Sequence, residues 1–235
     1  MRVYCWPVST NAAGPGRGAG IGGVTFASPP SVRRSRPTLV SAAEDAPGYT
    51  AGVADVLVGV TGGIAAYKAP GVIRRLKEAG HEVRTIATEA AFRFVPEETI
   101  AIAAGGHVHT DETWWEESGR VEHVSLARWA DLVLVAPATA DAMARVAIGL
   151  GDDLLSATIL AGAKKVLWAP AMNPEMWNNP STQRNVETLK SWGHDFVGPA
   201  EGFMASAEEE PGVGRLAEEA EIVAAAEEVL SEGGT

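Results

Sequence analysis

Few folds can accommodate residues 56–68, Val-Leu-Val-Gly-Val-Thr-Gly-Gly-Ile-Ala-Ala-Tyr-Lys. The run from Val56 to Val60 is apolar on both faces and rich in β-branched residues, as a strand covered on two sides must be. Thr61, Gly62 and Gly63 end the strand, and a helical pattern starts at once. Paired glycines let a backbone approach an anion with no Cβ in the way. Helix N-terminal N–H groups aimed at the same place favour a phosphate. The spacing matches neither the dinucleotide fingerprint nor the nucleotide P-loop. On these residues alone, a phosphate cradle and a plain strand-to-helix turn stand level.

The pattern repeats along the chain. A helix is expected over residues 65–79, with Ile73, Leu76 and Lys77 on the stripe facing the sheet and Gly80 as its stop. Residues 81–88 read as the next strand, with Thr88 capping a helix after it. Residues 96–118 are less regular, contain Trp114 and Trp115, and read as a lobe or interface element. The most hydrophobic strand, 132–135, runs through Ala136-Pro137-Ala138-Thr139-Ala140-Asp141 into a helix bearing Met143, Val146 and Ile148. A further helix opens at 152–155, a fourth clear strand spans 165–170, one helix continues to about Trp192, and the last covers roughly 218–230. Such alternation predicts an α/β fold, a doubly wound, Rossmann-like or flavodoxin-like parallel sheet in a single domain over residues 53–235. Ligands of these sheets bind beyond the strand carboxyl ends, where the loops at Gly62, Thr88 and Pro137 fall.

Residues 1–52 are rich in Gly, Ala, Pro, Ser and Arg and lack periodicity, so a flexible N-terminal extension is expected. Their Arg-rich, acid-poor character is also that of a transit peptide, although the apolar part is too brief for secretion. The formal net charge is −11, and the acidic excess lies wholly beyond residue 50. With no Lys/Arg cluster outside the extension, a nucleic-acid partner is not expected. The single cysteine, Cys5, excludes an intrachain disulfide and any cysteine-based metal site or nucleophile in the folded part. No apolar run reaches the about 18 residues that cross a bilayer, so no membrane partner and a cytoplasmic location are expected.

Four blocks taken together resemble the flavin-containing cysteine decarboxylases. They are residues 60–68, His123-Val124-Ser125-Leu126-Ala127-Arg128-Trp129-Ala130-Asp131, residues 136–141, and Pro170-Ala171-Met172-Asn173-Pro174-Glu175-Met176-Trp177. That family includes phosphopantothenoylcysteine decarboxylases and peptidyl-cysteine decarboxylases, and the likeness covers about residues 54–216 in order and spacing. It implies FMN as cofactor. Gly62, Gly63 and Ile64 would hold the phosphate, with Thr88 and Ser125 as hydroxyl donors. Ala136, Pro137, Ala138 and Thr139 would lie against the flavin ring. His123 takes the place of the family's active-site histidine, and Asn173 that of the amide gripping the substrate carboxylate. Met176, Ser206 and Arg215 would complete the substrate pocket, Arg215 by anchoring a flap. Read without the resemblance, Asn173 is a helix cap, Met176 a core filler and His123 a structural histidine.

One departure from the family pattern bears on the reaction. Ser206 stands where phosphopantothenoylcysteine decarboxylases carry a cysteine that returns electrons to the enethiol intermediate, and Glu208-Glu209-Glu210-Pro211 lengthens the linker after it. A serine has no redox-active thiol. The resemblance therefore implies oxidative decarboxylation of a cysteine carboxylate, with the C-terminal cysteine of a peptide as the first-choice substrate and an enethiol as product. The alternatives are phosphopantothenoylcysteine decarboxylation in coenzyme A synthesis and a non-catalytic FMN-binding regulatory subunit, against which retention of His123 and Asn173 argues. The family builds homo-trimers or assemblies of trimers with flavin sites at subunit contacts, for which Trp114, Trp115 and Trp129 would supply apolar area, although core packing explains these residues equally well.

Overall fold

The computed structural model describes residues 52–115, 119–205 and 210–232. Residues 1–51 of the N-terminal extension, and Ser206 with its three following residues, lie outside them. Six parallel strands form the central sheet: β1 (Asp55–Val60), β2 (Glu82–Ala87), β3 (Val108–His109), β4 (Leu132–Ala138), β5 (Val166–Pro170) and β6 (Asp195–Phe196). Their order is β3-β2-β1-β4-β5-β6. The chain thus winds outward from β1 to one edge, returns to β4 beside β1, and winds to the other edge. The reversal between β1 and β4 opens a crevice at their carboxyl ends.

Alternation along β1 assigns its two faces. Val56, Val58 and Val60 pack with α1 (Ala69–Glu78), α2 (Glu97–Ala104) and α8 (Glu219–Ser231), through Val72, Ile73, Leu76, Ile100, Ile222 and Ala226. Leu57 packs on the opposite side, with α3 (Glu122–Trp129), α4 (Ala140–Ala147), α5 (Leu154–Leu160) and α7 (Pro180–Ser191), through Leu126, Met143, Val146, Leu154 and Leu189. The one-turn α6 (Pro174–Trp177) precedes α7 in the chain. Gly59 is small because α5 sits close: a Cβ there would come 2.7 Å from Leu155 Cδ1.

The structure corrects several local expectations. The first helix splits into a 3-10 turn at Ile64–Lys68 and α1, and its buried stripe is Ala69, Val72, Ile73 and Leu76. Lys77 points outward and its ammonium donates to the Ala104 carbonyl (2.5 Å). The stretch read as irregular contains α2 and the edge strand β3. Ile148 lies beyond α4 and is exposed. One expected helix is two, α6 and α7, because Pro180 starts a new one under the Asn179 cap. A short antiparallel hairpin, β7 (Ala200–Gly202) with β8 (Gly212–Arg215), lies outside the main sheet.

Candidate active site

At the β1–β4 crevice the two strand exits are tied by one hydroxyl. Thr61 Oγ1 donates to the Pro137 carbonyl (2.7 Å) and accepts from the Thr139 N–H (3.1 Å). Thr139 in turn caps α4, its hydroxyl accepting from the Ala142 N–H (3.2 Å). Gly62 presses on the turn that follows β2. A Cβ there would meet the Ala90 methyl at 2.3 Å and the Ala90 backbone at 2.9 Å, so close backbone approach demands glycine. Gly63 has no such crowding. Thr88 stands at the N-cap position of the 3-10 turn Glu89–Arg93 as expected, but its side chain makes no cap; its hydroxyl oxygen is buried without a hydrogen-bond partner among the described residues. An orphaned buried hydroxyl beside a glycine turn and a 3-10 turn without a side-chain cap fits a phosphorylated cofactor.

Two clefts of ligand size open here and share Gly62, Thr139, Ala140 and Met176. The first, about 490 Å³, is lined further by Thr88, Asp111, Asp141, Arg145, Asp152 and Asp153. Arg145 Nε donates to Asp141 (2.9 Å), and its Nη1 pairs with Asp152 and lies 3.6 Å from Asp153. These partners raise the guanidinium pKa further and leave the cation already engaged. Burial pushes the Asp111 carboxyl above its ordinary range, against the stabilising Leu154 N–H donor at 2.7 Å.

The second cleft, about 480 Å³, holds Gly63, Ile64, Lys68, Met172, Asn173, Phe203, Met204 and Arg215. Asn173 caps α6, its Oδ1 accepting from the Met176 N–H (2.9 Å). A backbone N–H can donate only to the amide oxygen, so the cap fixes the side chain with its NH₂ as the donor end. The hairpin holds the loop carrying Asn173 in place. The Met172 N–H donates to the Gly214 carbonyl (2.9 Å), and a Cβ on Gly214 would fall 2.2 Å from the Met172 carbonyl oxygen. Glu218 gathers both cations of this cleft, with Arg215 Nη1 at 2.5 Å and Lys68 Nζ at 3.8 Å. Hydrogen bonding from Arg215, then the Lys68 charge, holds the exposed Glu218 carboxyl below its usual range.

Of the residues expected at the site, Gly62, Gly63, Ile64, Thr88, Thr139, Asn173, Met176 and Arg215 line one or both clefts. Ala136, Pro137 and Ala138 are buried inside β4 and line neither. His123 and Ser125 sit on α3, and one chain alone does not bring them to the clefts. Ser125 is exposed, and its hydroxyl donates to the Val121 carbonyl one turn back (3.1 Å). His123 Nδ1 accepts from the Trp114 indole N–H (3.1 Å). Lys68, Asp111 and Arg145 received no role from the sequence. Lys68 was legible as a cation one turn after the glycine pair, whereas Asp111 and Arg145 meet only through the fold.

The Flavoprotein family profile matches residues 47–231. Over 175 residues the chain is 50% identical to the coenzyme A biosynthesis bifunctional protein CoaBC of Mycobacterium tuberculosis, covering 74% of this chain and 41% of that one. The chain thus spans less than half the length of that relative. Among solved structures, a mutant PPC decarboxylase complexed with pantothenoylaminoethenethiol superposes with a TM-score of 0.68 at 32% identity, covering 74% of this chain and 96% of that one. The FMN-dependent cysteine decarboxylase SpaF gives a TM-score of 0.67 at 33% identity, covering 77% and 97%. With the glycine turn, the orphaned Thr88 hydroxyl and the Asn173 cap on the same crevice, the chain belongs to the Flavoprotein family, in its branch of FMN-dependent cysteine decarboxylases.

Proposed function

We propose that the chain removes CO₂ from the cysteine carboxylate of phosphopantothenoylcysteine, in coenzyme A synthesis. The observation carrying this reading is the 50% identity to a coenzyme A biosynthesis protein, against 33% to SpaF. It reverses the order set by the sequence, which put a peptide substrate first. The second cleft suits the smaller substrate: Lys68 and Arg215 offer charge to a phosphate, and Met172, Met176 and Phe203 offer apolar wall to its arm.

Gly62, Gly63, Ile64, Thr88 and Thr139 would hold FMN, which when bound supplies a two-electron acceptor for the thiol-bearing carbon. Asn173 turns its amide NH₂ to the substrate carboxylate. A neutral donor orients that group without stabilising its charge as a cation would, so departure as CO₂ is not opposed. His123 serves the site of a neighbouring copy in a homo-trimer or an assembly of trimers. The 76% exposure of Trp115, stacked on Trp114 beside His123, supports a contact on that face.

A second reading concerns the product. Ser206 lacks the thiol that would return electrons, which favours release of an enethiol; the PPC decarboxylase mutant holds a ligand of that class. Both readings are tested by mass spectrometry after anaerobic incubation with phosphopantothenoylcysteine or with a peptide ending in cysteine. Loss of mass from phosphopantothenoylcysteine is expected, of CO₂ alone if the reduced cofactor returns its two electrons to the product. Loss of CO₂ and two hydrogens from the same substrate supports enethiol release. Conversion of the peptide alone overturns the substrate assignment.

A further inference from the structure

The first turn of α3 is gripped from two sides. Glu122 Oε1 lies 2.5 Å from His109 Nδ1 at the end of β3, and His123 Nδ1 lies 3.1 Å from Trp114 Nε1. Trp114 is itself well fastened. Its backbone N–H donates to the Thr110 carbonyl (3.0 Å), its ring stacks on Trp115 at 4.7 Å, and it packs against the core beneath α3. It meets the imidazole edge-on, at 5.4 Å between centroids and 81° between planes.

An indole N–H is a donor and nothing else. The imidazole nitrogen that accepts it must carry no proton, so in the neutral ring the proton resides on Nε2. We propose that Trp114 is a positioning residue that holds His123 as the neutral Nε2–H tautomer, so that the histidine offers its target an N–H donor and not a base. The inference rests on the reading of His123 as a residue of the reaction. With Nδ1 covered by Trp114 and Nε2 protonated, neither nitrogen is open to take the substrate's thiol proton. What remains is a fixed donor, suited to negative charge on sulfur or on the carboxylate. The His109–Glu122 contact adds to this by anchoring the residue next to His123.

The test is ¹⁵N NMR of the FMN-loaded protein with ring-labelled histidine, His123→Asn identifying the signal by its loss. The wild-type spectrum is expected to show a bare, hydrogen-bonded Nδ1 and a protonated Nε2. Trp114→Phe keeps an aromatic side chain and removes the donor. It should give mixed tautomers and a kcat lower by about tenfold, roughly the worth of one hydrogen bond, with KM and flavin content unchanged. A protonated Nδ1 in the wild type, or a Trp114→Phe variant with wild-type spectrum and kcat, overturns the inference. Full turnover by His123→Asn would overturn the catalytic role alone, while the spectrum still reports whether the bond exists.

Discussion

The two clefts share one wall and differ in charge. On one side Asp111, Asp141, Asp152 and Asp153 face a single lining arginine, Arg145, already ion-paired with three of them. On the other, Lys68 and Arg215 stand over methionines and Phe203, sharing one exposed glutamate. A ligand group rich in hydroxyl and N–H donors suits the first; a phosphate or carboxylate suits the second. The glycine turn at Gly62 lies on the wall that the two clefts share.

The largest expected effect comes from placing a charge on the substrate side. Asn173→Asp keeps a capping oxygen for the Met176 N–H, so α6 should stand. Its carboxylate would face the substrate's, and kcat/KM should fall by about 100-fold or more while FMN is retained. His123→Asn should be inactive too. Co-assembled, the two variants should recover part of the activity, because each copy lends the residue its neighbour lacks. Recovery of none would put both residues in one chain's own site.

A smaller change sharpens the contrast between the clefts. Lys68→Ala or Arg215→Ala should raise KM for phosphopantothenoylcysteine by about tenfold, the worth of one charge-assisted contact, and leave a dephosphorylated analogue unaffected. Equal losses on both substrates would show that the cations hold the fold and not the phosphate.

The smallest effect belongs to the acidic side. Burial raises the Asp111 pKa above its ordinary value of 3.8, so the folded state favours the protonated form. Its stabilising contribution is complete below the unfolded pKa and is lost as pH rises through the folded one. Asp111→Asn keeps an acceptor for the Leu154 N–H and removes the ionising group. Thermal melts should show a small gain in Tm at neutral pH that vanishes in acid; a loss at neutral pH would mean that the charge is wanted.

The central strands were legible because β1, β4 and β5 are continuous apolar runs covered on both faces. Strands β3 and β6 were not, since two residues carry no periodicity. The break between α6 and α7 is written in Asn179-Pro180, which lies inside a longer helical pattern that hides it. At the site, the glycine turn and Asn173 were readable from local chemistry. The reason for Gly214 was not, because it is set by the Met172 carbonyl across the hairpin. His123 was readable as a motif residue, but its position away from both clefts follows from the path of α3.

The most direct test of the account is a competition in one vessel between phosphopantothenoylcysteine, its dephosphorylated analogue and a peptide ending in cysteine. The ratio of kcat/KM values is read from the decline of each by mass spectrometry. The account predicts that phosphopantothenoylcysteine disappears first, the analogue about tenfold more slowly, and the peptide last. A peptide consumed ahead of both would contradict it.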